Sequence, residues 1–315
     1  MRAWVFNGAG NPLELQEVAE PELQDGEVVI DIKATGLCHS DVSALHDPNW
    51  AVNFPNLPIV LGHEPVGVVS AVGTGVTDLA VGDRVGVPSG PPHNIGYWRG
   101  GGYAEKISAP ADFVVKIPDN LDFVTAASGT DAGNVAHHAV VTQGRVAEGM
   151  KVGIIGIGGL GQFGARIAVL KGADVYAAEV KESAWDFAKE LGVKRVVKDI
   201  TELADEQLDV IVDFAGFGTT TTGAIEAVRP GGRVVQVGMG RVQFDFNSIP
   251  LITKQVEYVG SVGGGTEDLR GVWELMASGG LKPAIEVFDF EQTDAELEEL
   301  HQGNIAGRAV TNLET

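Results

Sequence analysis

Cysteine is almost missing from this sequence: Cys38 is the only one in 315 residues. A single thiol excludes an intrachain disulfide and a four-cysteine structural zinc site. Positive charge is scarce too, with 22 Lys and Arg against 43 Asp and Glu, a formal net charge of −21. That balance works against nucleic acid and anionic membranes as partners and reads first as a solubility feature. No apolar run approaches the roughly 18 residues of a membrane span. The opening "MRAWVFNG" has neither the charged nor the apolar region of a secretion signal. The cytoplasm is therefore the expected compartment. What remains is ordinary: 44% hydrophobic and 7% aromatic residues, in a chain long enough for two domains.

Two textures divide the chain. The first third carries short Val- and Ile-rich runs broken by Gly and Pro: 26–37, 66–73, 81–88, 101–110 and 113–118. Such runs predict antiparallel strands in a barrel-like domain. The polar stretch 89–102 reads as a loop. From about Val124, strand patterns alternate with helical ones, the signature of a parallel sheet built from βαβ units. Strands are predicted at 152–155, 174–178, 208–216, 231–239 and 256–264, and a helix at 160–171. A charged helix, a glycine turn and a last strand close the chain.

The segment "GIGGLGQ" (156–162) follows a predicted strand and opens a predicted helix. Gly156, Gly158 and Gly161 match G-x-G-x-x-G, whose glycines allow a tight turn, close approach of a pyrophosphate and helix–strand packing. Helix amides then meet the phosphates. Glu179 lies 18 residues beyond Gly161, at the end of the next strand. A carboxylate there can accept from an adenosine ribose hydroxyl and repels a 2′-phosphate, which favours NAD over NADP. Lys181 and Lys189 nearby weigh the other way.

"GLCHSD" (36–41) clusters the lone thiol with His39, Ser40 and Asp41, and "LGHEPVGVV" (61–69) places His63 and Glu64 before an apolar strand. Cys38 and His63 are 25 residues apart, so spacing alone does not make a metal site. Taken singly, a buried cysteine is a small hydrophobe and a lone histidine a satisfied polar group; metal ligand, nucleophile and packing residue all stay open.

Together with "VGDRVGV" (81–87), "GGYAE" (101–105), "GIGGLGQ" and "GNIAGRAV" (303–310), these motifs occur in the order found in the zinc-dependent alcohol dehydrogenases of the medium-chain dehydrogenase/reductase family, which the chain resembles from end to end. The resemblance implies an α/β protein: a GroES-like β-rich catalytic domain, residues 1–130 completed by 266–315, and a Rossmann doubly wound parallel-sheet nucleotide-binding domain, 131–265. It also implies reversible hydride transfer between an alcohol and NAD, one catalytic zinc, and a homodimer or homotetramer acting on a small-molecule alcohol, aldehyde or ketone.

Residue by residue, Cys38 and His63 match the first two zinc ligands, and Glu64 the glutamate that can approach the metal. Asp131 stands where most members carry a third, cysteine ligand; oxygen is a normal zinc donor. Ser40 matches the hydroxyl that hydrogen-bonds the substrate oxygen and passes its proton on to the cofactor ribose. A relay histidine is replaced by Ser43, with His46 the nearest substitute, and Asp41 matches the carboxylate that orients a ligand histidine. For the cofactor, His39 and Arg308 match phosphate contacts, and Gly159 belongs to the phosphate-binding loop. Val135 and Leu160 match apolar contacts to nicotinamide, and Val237 and Gly238 the backbone beside it. No cysteine lies between "GDRVG" and "GGYAE", so no structural zinc is expected. Tyr97 and Trp98 of that loop read equally as packing residues or as walls at the site mouth, with Trp50 and Phe54 as further wall candidates. His93, His137, His138 and His301 match no motif. The competing readings are a zinc-free quinone or enoyl reductase of the same family and a non-catalytic, crystallin-like NAD-binding protein.

Overall fold

The structure is a computed structural model that describes residues 1–314. The first strands are β1 (Arg2–Phe6), β2 (Glu14–Glu17), β3 (Glu27–Leu37), β4 (Ile59–Val60), β5 (Pro65–Val72), β6 (Arg84–Gly86), β7 (Lys106–Pro110) and β8 (Val115–Lys116). Helix α1 (His39–His46) leaves directly from β3, and α2 (Phe123–Ser128) follows β8. A wide helical turn (Gly129–Gly133) and the short α3 (Asn134–His137) lead onward. Then come β9 (Lys151–Ile155), α4 (Gly161–Leu170), β10 (Asp174–Ala178), α5 (Trp185–Glu190), β11 (Arg195–Val197), β12 (Val210–Asp213), α6 (Thr219–Ala227), β13 (Arg233–Gln236), α7 (Ser248–Thr253) and β14 (Glu257–Gly260). The chain closes with α8 (Thr266–Ala277), β15 (Ile285–Asp289), α9 (Thr293–Gln302) and β16 (Arg308–Asn312).

Contacts group these elements into two compact units, Met1–Asn134 with Gly263–Thr315, and Val135–Val262. In the first unit β3 is the organising strand. Its eleven residues pair antiparallel with β5 on one side, and on the other with β7 near the start and β16 near the end. Alternate Val28, Ile30 and Ile32 point into a core with Val69, Val85 and Ile107, the period-2 burial that the Val/Ile runs predict. A second core gathers Trp4, Phe6, Leu37, Phe54, Leu61 and Tyr103 beneath α1 and α9.

In the second unit the order is β11-β10-β9-β12-β13-β14, all parallel. Strand order reverses between β9 and β12, the switch point where a doubly wound sheet binds ligands. The predicted strands at 208–216, 231–239 and 256–264 are each shortened to four residues, and the left-handed Gly216, Gly231 and Gly263 lie in the turns outside them. Three-residue β11 and the partly exposed β15 carry too short or too weak an alternation to be read from sequence.

Candidate functional site

The end of β3 delivers Cys38 as the N-cap of α1, and the turn between β4 and β5 delivers His63 and Glu64. The turn after α2 delivers Asp131, and α8 supports that turn: Trp273 donates its indole N–H to Ala126 O at 3.0 Å, and a Cβ on Gly129 would lie 3.2 Å from Trp273 and Met276. One donor atom each from Cys38, His63, Glu64 and Asp131 falls within 4.8 Å of the others. Cys38 Sγ is 3.6 Å from Asp131 Oδ2, and His63 Nε2 is 3.7 Å from the same oxygen. Donors at ordinary zinc distances lie about 3.4–3.8 Å apart along a tetrahedron's edges, and the spacings of Cys38 and His63 from Asp131 fall in that range.

Asp41 holds two of the donors. Its Oδ2 accepts from the Cys38 amide at 3.2 Å and the Tyr103 hydroxyl at 2.7 Å, while Oδ1 sits 3.3 Å from His63 Nδ1. A carboxylate facing Nδ1 leaves the Nε2 lone pair for a metal. A Cβ on Gly36 would sit 2.2 Å from Glu64 Oε2, so any side chain there would displace the glutamate carboxylate. That oxygen is buried with no partner, whereas Oε1 forms an ion pair with Arg308, whose Nη2 also donates to Leu37 O at 3.0 Å.

The electrostatics follow from crowding buried charges. Burial pushes the Glu64 carboxyl up to about 7, with Asp131 adding and Arg308 opposing. Burial would raise Asp131 as well, but the hydrogen bond and charge of His63, with Arg308, hold it down at about 2. Burial opposes charge on His63, yet Tyr97, Asp41 and Asp131 outweigh it and raise its pKa well above the usual value. Two buried carboxylates with an orphaned acceptor oxygen, offset by Arg308 and by the charge they favour on His63, suit a bound cation.

In the second unit, the three loop glycines are needed for three different reasons. Gly156 has φ +85°; Gly161 would place a Cβ 1.8 Å from Gly156 O; and a Cβ on exposed Gly158 would meet nothing within 4 Å. No protein atom demands glycine at 158, so the space over it is a cradle for something else, which fits a pyrophosphate. Glu179 Oε2 accepts from the Ile157 amide and Oε1 from the Lys181 amide, both at 2.7 Å, which fixes the carboxylate beside the loop. Each oxygen keeps a free lone pair for a ribose hydroxyl. Lys189 Nζ is paired with Asp186 at 2.8 Å. Val237 and Gly238 both donate their amides to Asp213 O at 3.0 Å, and Val135 is buried while Leu160 is half-buried.

Other expected residues are engaged elsewhere. Ser40 Oγ does reach the cluster, 3.4 Å from His63 Nε2. Ser43 donates to His39 O at 3.0 Å, and His39 itself is exposed. His46 stacks on His301 at 4.2 Å and lies 3.5 Å from Glu298, on α9. His93 packs edge-on against Phe113, and His138 bonds Gln143. Trp98 is exposed, whereas Tyr97 turns inward between Phe54 and His63, with ring centroids 5.3 Å from each. Residue type alone could not separate those two neighbours; the glycines at 96, 101 and 102, which seat the loop on the Leu61–Gly62 backbone, were the available signal.

Residues 24–119 match the family described as alcohol dehydrogenase GroES-like domain, and residues 159–278 the family described as zinc-binding dehydrogenase. An alcohol dehydrogenase of Geobacillus stearothermophilus is 35% identical, with both chains covered in full. Among solved structures, the alcohol dehydrogenase of the hyperthermophilic archaeon Aeropyrum pernix superposes with a TM-score of 0.89 at 28% identity, over 99% of this chain and 100% of that one. An acetophenone reductase from Geotrichum candidum, solved in complex with NAD, gives 0.87 at 30% identity, over 99% and 96%.

Proposed function

This chain belongs to the medium-chain, zinc-binding alcohol dehydrogenase family, and from that premise we propose an NAD-dependent enzyme with one catalytic zinc that interconverts an alcohol with its aldehyde or ketone. The observation that carries the proposal is the convergence of Cys38, His63, Glu64 and Asp131 donors within 4.8 Å. Cys38, His63 and Asp131 would hold the zinc, with Glu64 as the neighbouring oxygen donor. A bound zinc supplies Lewis acidity, which eases loss of the alcohol proton. Bound NAD supplies the hydride acceptor.

The protein's own groups do the rest. Ser40, with its hydroxyl 3.4 Å from His63, relays the substrate proton, accepting it as its own proton passes on to water. Asp41 keeps the Cys38 and His63 donors in register. The loop of Gly156, Gly158, Gly159, Leu160 and Gly161 cradles the pyrophosphate, with His39 and Arg308 as further anion contacts, and Glu179 takes the ribose. Val135 and Leu160 press apolar surface on the nicotinamide, and Val237 and Gly238 line it with backbone. With Cys38 as the only thiol, no four-cysteine structural zinc forms. The working unit is a homodimer or homotetramer in the cytoplasm.

The test is NAD reduction across primary, secondary, cyclic and aryl alcohols, with zinc quantified on the same sample. About one zinc per chain, turnover by the wild type and none by Cys38→Ala supports the reading. Zinc well below that level with NADPH-linked reduction of quinones or enones points to the zinc-free reductase instead. No turnover of any alcohol, with NAD bound, leaves a binding protein.

A further inference from the structure

Asp213 is fully buried at the end of β12, level with Ile155 on β9 and Gln236 on β13. Those are the last residues of the two neighbouring strands, so its carboxylate stands at the carboxyl edge of the sheet, at the switch point. A charge so placed is costly unless donors surround it, and four do. Oδ1 accepts from the Ala215 amide at 3.0 Å and the Gly216 amide at 2.8 Å. Oδ2 accepts from the Thr220 and Thr221 hydroxyls, both at 2.8 Å. Thr220 Oγ1 itself accepts from the Phe217 amide at 3.0 Å, which leaves its own proton for Asp213. The carboxylate thus ties the turn 214–218 to the first residues of α6.

That turn carries a second segment with it. Gly216 has φ +66°, and a Cβ on it would lie 1.8 Å from Gly238 O; a Cβ on Gly238 would lie 2.4 Å from Ala215 C. The two glycines interlock backbone to backbone, with Gly240 N donating to Ala215 O at 3.2 Å and Arg241 N to Gly216 O at 2.8 Å. Val237 and Gly238 donate to the main-chain oxygen of Asp213 itself. Segment 237–241 therefore takes its position from the turn that Asp213 closes. Toward the glycine loop the same turn makes only ordinary side-chain contact, since a Cβ on Gly156 would lie 3.6 Å from Ala215 Cβ. Glu179 holds the Ile157 and Lys181 amides without any help from Asp213.

We propose that Asp213 is a positioning residue for the nicotinamide half of the cofactor: its carboxylate fixes Gly216, and the Gly216–Gly238 interlock fixes the Val237–Gly238 backbone. The inference rests on the reading above, in which Val237 and Gly238 line the nicotinamide, and it assigns the buried aspartate to that half alone. The adenosine ribose and the pyrophosphate fall to Glu179 and to the glycine loop, whose own hydrogen bonds do not pass through the Asp213 carboxylate.

Binding of NADH and of ADP-ribose, which lacks the nicotinamide, separates the two halves. NADH is followed by its fluorescence and ADP-ribose by calorimetry, with no alcohol present, and a melting curve shows that each variant is folded. Asp213→Asn cannot serve four donors, because an amino group replaces one acceptor oxygen. Its Kd for NADH should rise about tenfold while that for ADP-ribose stays within about twofold. Thr220→Val/Thr221→Val keeps the aspartate, removes both donors to Oδ2 and should give the same pattern, which decides the matter if Asp213→Asn does not fold. Thr220→Ser/Thr221→Ser restores the hydroxyls and should bind both ligands as the wild type does. Equal weakening of the two ligands, or unchanged NADH affinity in a folded variant, overturns the proposal. A wild type that binds NADH no more tightly than ADP-ribose overturns instead the placing of Val237 and Gly238 beside the nicotinamide, and one that binds neither overturns the NAD reading itself.

Discussion

Asp41 Oδ1 lies 3.3 Å from His63 Nδ1, while the other oxygen of the same carboxylate receives the Cys38 amide at 3.2 Å. One buried side chain thus locates two proposed metal donors that lie 25 residues apart in sequence. In Asp41→Asn the shape is kept and the charge facing Nδ1 is lost. Metal affinity should fall about 10- to 100-fold, measured by competition with a chromogenic chelator. Unchanged affinity would remove Asp41 from the site.

Asp131 tests whether a carboxylate is a true third donor. Asp131→Ala should leave zinc content well below that of the wild type after dialysis, and Asp131→Cys should keep it, since thiolate and carboxylate are both ordinary zinc ligands. Equal zinc in Asp131→Ala and wild type would show that the aspartate only packs there.

Two glycines of one loop should respond in opposite ways. Gly161→Ala places its Cβ 1.8 Å from Gly156 O, backbone that has no room to give. It should cost about 3 kcal/mol of stability or more, read by denaturant unfolding. Gly158→Ala points into open space, so its melting temperature should match the wild type while NAD binding weakens at least about tenfold, equivalent to about 1.4 kcal/mol. Full NAD affinity in Gly158→Ala would mean that no pyrophosphate passes over that position.

Acid should weaken the fold through carboxylates remote from the Cys38–His63–Asp131 cluster. Burial alone would raise Asp209, but hydrogen bonds from the Lys151 amide and the Arg229 side chain hold it below the ordinary 3.8. Asp122, the N-cap of α2, is likewise held low against burial, by the Thr125 amide and hydroxyl. A folded-state pKa below the unfolded one adds stability that is complete above the unfolded value and is lost as pH falls through the folded one. Urea unfolding should therefore show stability dropping below about pH 4, and Asp209→Asn should flatten that slope. An unchanged slope in the variant would assign the acid response to other groups.

Much of the fold was legible because local chemistry repeats. Alternating Val and Ile announced β3 and β5, and a continuous apolar run ending in glycine announced β9 and the loop after it. The grouping of Cys38, His63, Glu64 and Asp131 was legible only through motif resemblance. Nothing between residues 38, 63 and 131 signals proximity, because closing loops of that length leaves no periodic trace. The pairing of Arg308 with Glu64 and the inward turn of Tyr97 were hidden for the same reason: an arginine near the C-terminus meets Glu64 only once β16 has paired with β3.

The sequence by itself determined what is local: a β-rich first unit, a parallel-sheet second unit, a glycine loop with Glu179 one strand later, and a single thiol that rules out a four-cysteine metal lobe. Only the tertiary structure decided which side chains meet. Pairing of β3 with β5 and β16, and packing of α8 on the turn after α2, bring Cys38, His63, Glu64, Asp131 and Arg308 into one buried cluster. Ser40 and Tyr97 are set beside that cluster by the same packing, while Ser43 and His46 are turned toward other partners. Strand register and burial made those choices, and both are properties of the whole chain rather than of any stretch within it.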